Sequence, residues 1–146
     1  MIAIDASVFN KLFLKETDSH LAIAMFRFVI EKDIERLAPN ILLYETCSTA
    51  LHYGVNFADI HSIINVQRNA GFRLVEPSLA VLETAEKIAT SGNKKAGFPT
   101  LYDSIYHALA IVGGGSFITA DKRHYAKARS FKNIYLLENW EEPFKK

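Results

Sequence analysis

Four carboxylates stand where they could share a task. Asp5 ends the apolar opening "MIAID", and Asp121 ends a second apolar run, "SFITAD". Each follows a short segment that reads as a strand, Ile2–Ile4 and "SFITA". In an open parallel sheet the strand ends lie along one edge, and ligands bind in the crevice there. Two acids from opposite ends of the chain can meet at that edge. Asp103 and Glu45 sit instead near the starts of helical stretches, "TLYDSIYHALAIV" and "NILLYETCSTALHY". A helix that follows a strand begins at the same edge, so these two can point toward Asp5 and Asp121. Four gathered carboxylates repel one another unless cations neutralise them. Hard oxygen donors select Mg²⁺ or Mn²⁺. Such ions activate water and steady a leaving oxygen in phosphodiester cleavage. Each acid alone has a plainer reading: Asp5 and Asp121 as turn or cap residues, Asp103 as an anion at a helix N-terminus, and Glu45 as a side chain at a cleft rim or in solvent.

The elements around them alternate. After Ile2–Ile4, Ser7 is placed to cap a short helix carrying Val8, Phe9, Leu12 and Phe13. A helix from Asp18 or Ser19 to about Lys32 follows, then a strand in "ERLAP". Asn40 caps a helix through His52, and Asn56 begins another that runs to Gly71. "FRLVEP" is a strand, Ser78 caps "LAVLETAEKIATS", and "GNKKAGFP" is a loop with two lysines. Thr100 caps the next helix. Gly113–Gly115 stops it and turns the chain. "DKRHYAKAR" is a short helix and "NIYLLE" the last strand. Strands alternating with helices call for a parallel sheet covered on both faces.

Bulk properties agree with one folded unit. The 146 residues suit a single domain, 1–146, and are 49% hydrophobic and 23% charged. No apolar run reaches the ~20 residues that span a bilayer. No basic segment leading into an apolar one marks a signal peptide, so the expected location is the cytoplasm. Cys47 is the single cysteine, which excludes an internal disulfide and a thiolate cluster. The five histidines show no paired-ligand spacing and read as surface or cap residues. His124, three residues after Asp121, is a candidate phosphate or base contact. Trp140 reads as packing the tail onto the body. Net charge is +1, from 17 Lys and Arg against 16 Asp and Glu. Setting the four site acids aside leaves twelve acids against those 17 bases, and bases outnumber acids from Lys94 onward. The C-terminal third is therefore the expected place for phosphate contacts, with Lys94, Lys95, Lys122 and Arg123 foremost.

At these residues the chain resembles a known family. "MIAIDASVF", "APNILLYETCSTA", "TLYDSIYHALAI" and "FITADKRHYAKA" look like the successive acidic motifs of PIN-domain nucleases, and most like the small VapC-type toxins. The order Asp, Glu, Asp, then Thr-x-Asp carries the likeness over nearly the whole chain. The resemblance implies a three-layer α/β/α fold with a central, mainly parallel sheet. It implies a metal-dependent endoribonuclease, usually a homodimer, silenced by a cognate antitoxin that enters the acidic groove. Asp5, Glu45, Asp103 and Asp121 take the catalytic and metal-holding positions for Mg²⁺ or Mn²⁺. Ser7 and Thr119 match hydroxyls that support those acids. Many members carry a further acid or Asn soon after the fourth. Here Lys122, Arg123 and His124 stand there, so the expected picture is one firmly held ion, with a second arriving with RNA. Phe26 and Phe28 exceed what one helix face should bury, which favours dimerisation.

Other readings differ in what they need. A catalytically silent interaction protein of the same fold would not need all four acids. A maturation nuclease would share the site but not the antitoxin. A haloacid-dehalogenase-like phosphatase wants a second Asp two residues after the first, where this chain has Ser7.

Overall fold

A computed structural model describes residues 1–145. Lys146, one of the C-terminal bases, lies outside the described residues. Five strands form one wholly parallel sheet: β1 (Ile2–Ile4), β2 (Arg36–Pro39), β3 (Phe72–Val75), β4 (Ser116–Thr119) and β5 (Ile134–Leu136). Their order is β3-β2-β1-β4-β5. The chain builds outward from β1 through β2 to β3, then returns to the other side of β1 for β4 and β5. The order therefore reverses between β1 and β4, and a crevice opens at such a switch point. The helices are α1 (Ala6–Phe9), α2 (Ser19–Glu31), α3 (Ile41–Tyr53), α4 (Phe57–Asn69), α5 (Leu79–Ala89), α6 (Leu101–Val112) and α7 (Lys122–Ala128). Strand-forming stretches separated by amphipathic helices give the three-layer α/β/α arrangement that the alternation calls for.

Burial explains the composition of the elements. Ile2, Ala3 and Ile4 are fully buried, as a central strand covered on both faces must be. In α6 every residue from Ser104 to Ala110 is buried. That helix packs against α5 on one side and β1, β2 and β4 on the other. Phe9 of α1 stacks on Phe72 with ring centroids 5.7 Å apart and meets Phe26 edge-on at 6.1 Å. Truncating a buried ring of this kind costs about 3–5 kcal/mol.

Several expectations are corrected. The cap of α1 is Asp5, whose carboxylate accepts from the Val8 amide, and Ser7 lies within the helix. Asn40 precedes α3 but is already in helical conformation and makes no side-chain cap bond; its amide donates to the Val75 carbonyl instead. Asn56, Ser78 and Thr100 do cap their helices. The aromatic surplus of α2 is not a surface surplus. Phe26 is in the core, and Phe28 lies against Trp140 (5.3 Å) and Phe144 (5.2 Å) from the C-terminal turns. The two rings give no support to a dimer face. Trp140 does pack the tail onto the body. His107 and His124 are buried, not surface residues: they face each other edge-on at 5.7 Å beside Phe117.

Candidate metal centre

Each of the four acids reaches the switch point from a different element. Asp5 leaves the end of β1, and Asp121 follows β4 after one intervening residue. Glu45 rides on the second turn of α3, and Asp103 on the first turn of α6. Together with Ser7, Asn10 and Thr49 they line one cleft of about 230 Å³. Glu45 thus takes the cleft-rim option rather than the solvated one.

Asp5 is the most constrained of them. It is 3% exposed. Its Oδ1 accepts from the Ser7 hydroxyl at 2.5 Å and the Val8 amide at 3.1 Å. Its Oδ2 accepts from the Thr119 hydroxyl. The same two hydroxyls hold the neighbouring strand end, because Ser7 Oγ accepts from the Ala120 amide (3.0 Å) and Thr119 Oγ1 from the Asp121 amide (3.0 Å). Short side chains with one hydroxyl each therefore tie the end of β1 to the end of β4. Asp121 completes the link by capping α7, its Oδ1 accepting from the Arg123 and His124 amides at 2.8 and 3.0 Å. Asp103 forms a reciprocal cap with Thr100: its amide donates to the Thr100 hydroxyl, which donates back to Oδ2 at 2.7 Å.

Glu45 is held differently. Its Oε1 is buried and has no hydrogen-bond partner. Beneath it lies Tyr106 of α6, fully buried, whose hydroxyl also lacks a well-formed hydrogen bond. Burial, and then the charges of Glu45, Asp5 and Asp103, push the Tyr106 phenol up, against a lowering influence of the Ala6 backbone. Asn10 bridges to Thr49 of α3 (3.1 Å) and keeps its own Oδ1 unpartnered.

Crowding shows in the electrostatics. Burial pushes Asp5 up to about 6 against the lowering effect of its hydrogen bonds, with the Asp103 charge adding to the rise. Burial, and then the charges of Asp103 and Asp5, push Glu45 up to about 7. Asp103 is raised by burial and by Asp121, while Thr100 and Lys127 oppose the rise. These carboxylates destabilise one another's ionised forms, as expected of a site that awaits positive charge.

Residues 2–130 match the family model of the PIN domain. This chain belongs to the PIN domain family. PIN domains are generally metal-dependent nucleases that typically use divalent ions. No curated protein matches the chain.

The donor set of this PIN domain fits such an ion. It is all oxygen, and Glu45 offers a buried oxygen with nothing bound to it. Among the described residues, no three Asp, Glu, His or Cys side chains close into a ready-made ligand cage.

The remaining expected residues divide by exposure. Lys94, Lys95, Lys122 and Arg123 are exposed. His124 is 3% exposed, with its ring turned into the core, and is withdrawn as a phosphate or base contact. Tyr106 and Asn10 belong to the site although sequence reasoning does not single them out. Asn10 stands five residues after Asp5 in the same opening helical stretch, which is the signal that could have marked it. Tyr106 stands three residues after Asp103, on the next turn of the same helix. No described helix is long and apolar enough to cross a membrane.

Proposed function

We propose that this PIN domain is a metal-dependent endoribonuclease that cuts RNA by in-line attack of water on a phosphodiester. The observation that carries this reading is the meeting of Asp5, Glu45, Asp103 and Asp121 in one cleft at the sheet's switch point. Asp5, Asp103 and Asp121 would hold Mg²⁺ or Mn²⁺ directly or through waters. When bound, that ion supplies the positive charge that makes water nucleophilic and steadies the leaving 3′ oxygen. Ser7 and Thr119 fix the direction of the Asp5 carboxylate. Glu45, raised toward neutrality by burial, orients the attacking water and accepts its proton. The water oxygen bonds to phosphorus as the bond to the 3′ oxygen breaks.

The biological reading rests on the order of the acids, which is similar to that of VapC-type toxins. It makes this chain the toxin of a type II pair. It would act as a homodimer in the cytoplasm and be restrained by a cognate antitoxin that enters the acidic cleft.

The test is cleavage of single-stranded RNA and of matched single-stranded DNA by the purified chain, with Mn²⁺ or with EDTA. RNA cleavage that needs Mn²⁺ and falls about 10³-fold in Asp5→Asn is expected, with circular dichroism unchanged. Cleavage that survives in EDTA, or in a clean Asp5→Asn preparation, refutes the assignment. Preferential cleavage of DNA would refute the choice of RNA.

A further inference from the structure

A second concavity adjoins the acidic cleft and has the opposite charge. It lies between the 92–98 loop and α7, has a volume of about 510 Å³, and has Arg123 and Lys127 in its wall. These two are four residues apart on α7 and so share one helix face. Lys94 and Lys95 belong to the same 92–98 loop and are exposed, though Arg123 and Lys127 are the cations that line the groove itself. Among the described residues none of these four cations takes part in an ion pair.

The groove is built rather than left over. Asn93 and Gly97 close the loop with two backbone hydrogen bonds, at 3.3 and 2.8 Å. The Asn93 side chain accepts from the Lys95 and Ala96 amides and so presets the turn. A Cβ at Gly92 would stand 2.3 Å from the Gly97 carbonyl, so the closure needs glycine there. At Gly97, with φ of +83°, a Cβ would meet the Lys127 ammonium at 3.2 Å. The bare backbone thus seats Lys127, whose ammonium also donates to the Phe98 carbonyl. Apart from Arg123 and Lys127, its lining is Ser91, Asn93, Ala96, Ala126 and two glycines, all short. Helix α7 ties the groove to the cleft, since Asp121 of the cleft caps α7 by accepting from the Arg123 amide, and Arg123 and Lys127 line the groove.

We propose that this groove carries the phosphate backbone of a single polynucleotide strand whose next phosphodiester lies over the four carboxylates. The proposal rests on the nuclease reading and deepens it by assigning the strand's path. The groove supplies the attraction that the cleft cannot, because four acids repel phosphate and an adjoining row of free cations draws it in. Asp5 is recessed at the cleft floor. A lone, flexible strand reaches such a recess more readily than a stiff duplex does. An exposed aromatic face for an unpaired base stands at Phe98, whose ring lies against Gly92 of the groove.

Fluorescence anisotropy in EDTA separates binding from cutting. The full chain is titrated into a labelled single-stranded oligoribonucleotide, the matched RNA duplex and a poly-glutamate peptide. Arg123→Gln and Lys127→Gln should each weaken single-strand binding by about tenfold at low salt and flatten the log–log salt slope by about 0.7 per phosphate lost. Lys32→Gln, on the far end of α2, should change neither. Groove variants that bind as tightly as wild type overturn the proposal, as does a duplex bound as tightly as the single strand. Groove-dependent capture of poly-glutamate in preference to RNA overturns it in favour of an acidic protein segment. Groove-dependent RNA binding without Mn²⁺-dependent cleavage keeps the groove and sinks the nuclease reading. Cleavage with no groove dependence does the reverse.

Discussion

The two sides of the carboxylate cleft are built on opposite principles. On the β1–β4 side, three donors converge on Asp5, and the hydroxyls that supply two of them are themselves anchored by the amides of Ala120 and Asp121. On the α3–α6 side, Glu45 buries an oxygen with no partner, and the Tyr106 hydroxyl has only a poorly formed contact with the Ala6 backbone. A buried unpaired polar group costs about 1–3 kcal/mol, so the second side is held at a price in stability that the first avoids. The contrast separates two tasks. The Asp5 side has its direction set in the resting protein. The Glu45 side leaves a buried lone pair free, which on the proposed reading is where water or a cation would bind.

The largest break in that contrast comes from removing one anchor of the ordered side. Thr119→Val keeps the shape but deletes a hydroxyl that donates to Asp5 and accepts from the Asp121 amide. Cleavage should fall about 10–100-fold, the usual size for a residue that orients a metal ligand. Stability should fall by about 1–3 kcal/mol, because the Asp121 amide loses its acceptor. Urea melts and Mn²⁺ calorimetry together check this. Full activity with wild-type Mn²⁺ affinity would show that the direction of Asp5 is not set by Thr119.

A smaller effect, specific to the open side, is visible in pH. The Glu45 carboxyl rises from 4.5 to about 7 on folding. The folded chain therefore holds that proton more tightly than the unfolded chain. The stability this brings is complete below about pH 4.5 and is lost as pH rises through about 7. Glu45→Gln has no proton to lose. Without metal, it should gain on wild type between pH 5 and pH 8 by on the order of 1 kcal/mol, after allowing for solvent screening at a half-buried site. His107 and His124 work in the other direction. Burial lowers both to about 4, so their contribution is present above pH 6.5 and lost on acidification. Both chains carry that loss, and it cancels in the difference. Thermal melts of the two proteins across this range, with and without Mn²⁺, read the effect. A difference that does not change with pH would mean that Glu45 is solvated and that the two sides are alike.

What was legible in the chain follows the same division. Short strands ending in acids, and caps at Asn56, Ser78 and Thr100, are local chemistry and can be read along the sequence. The meeting of Asp5 with Asp121 followed from the rule that ligands gather at strand C-terminal ends. The strand order, which makes β1 and β4 neighbours, is a long-range result of packing that no local spacing records. Burial was harder. His107 lies on a helix buried all round, where its ring meets Phe117 and its Nε2 donates to the Lys132 carbonyl at 2.6 Å. A histidine with such a partner looks in sequence like one in solvent. Phe28 shows the converse, since its cover comes from Trp140 and Phe144 more than a hundred residues away. Asn10 and Tyr106 are not legible along the chain, because a polar residue among apolar neighbours does not announce which cleft it enters.

The finest test concerns the Tyr106 hydroxyl, and its sign is informative. It is buried under Glu45, Asp5 and Asp103 with no well-formed hydrogen bond of its own. Deleting a satisfied buried hydroxyl costs about 0.5–1.5 kcal/mol, whereas deleting an unsatisfied one is near neutral or stabilising. Tyr106→Phe in the metal-free chain should therefore melt at the wild-type temperature or slightly above it. Its cleavage rate at saturating Mn²⁺ should fall by only a few-fold if the hydroxyl donates to Glu45 or to the attacking water once the site is loaded. A clear loss of stability without metal would show that the hydroxyl is already engaged, and the α3–α6 side would then be no freer than the Asp5 side. A neutral melt with a slower reaction would locate the cost of this hydroxyl in the resting protein and its use in the working one.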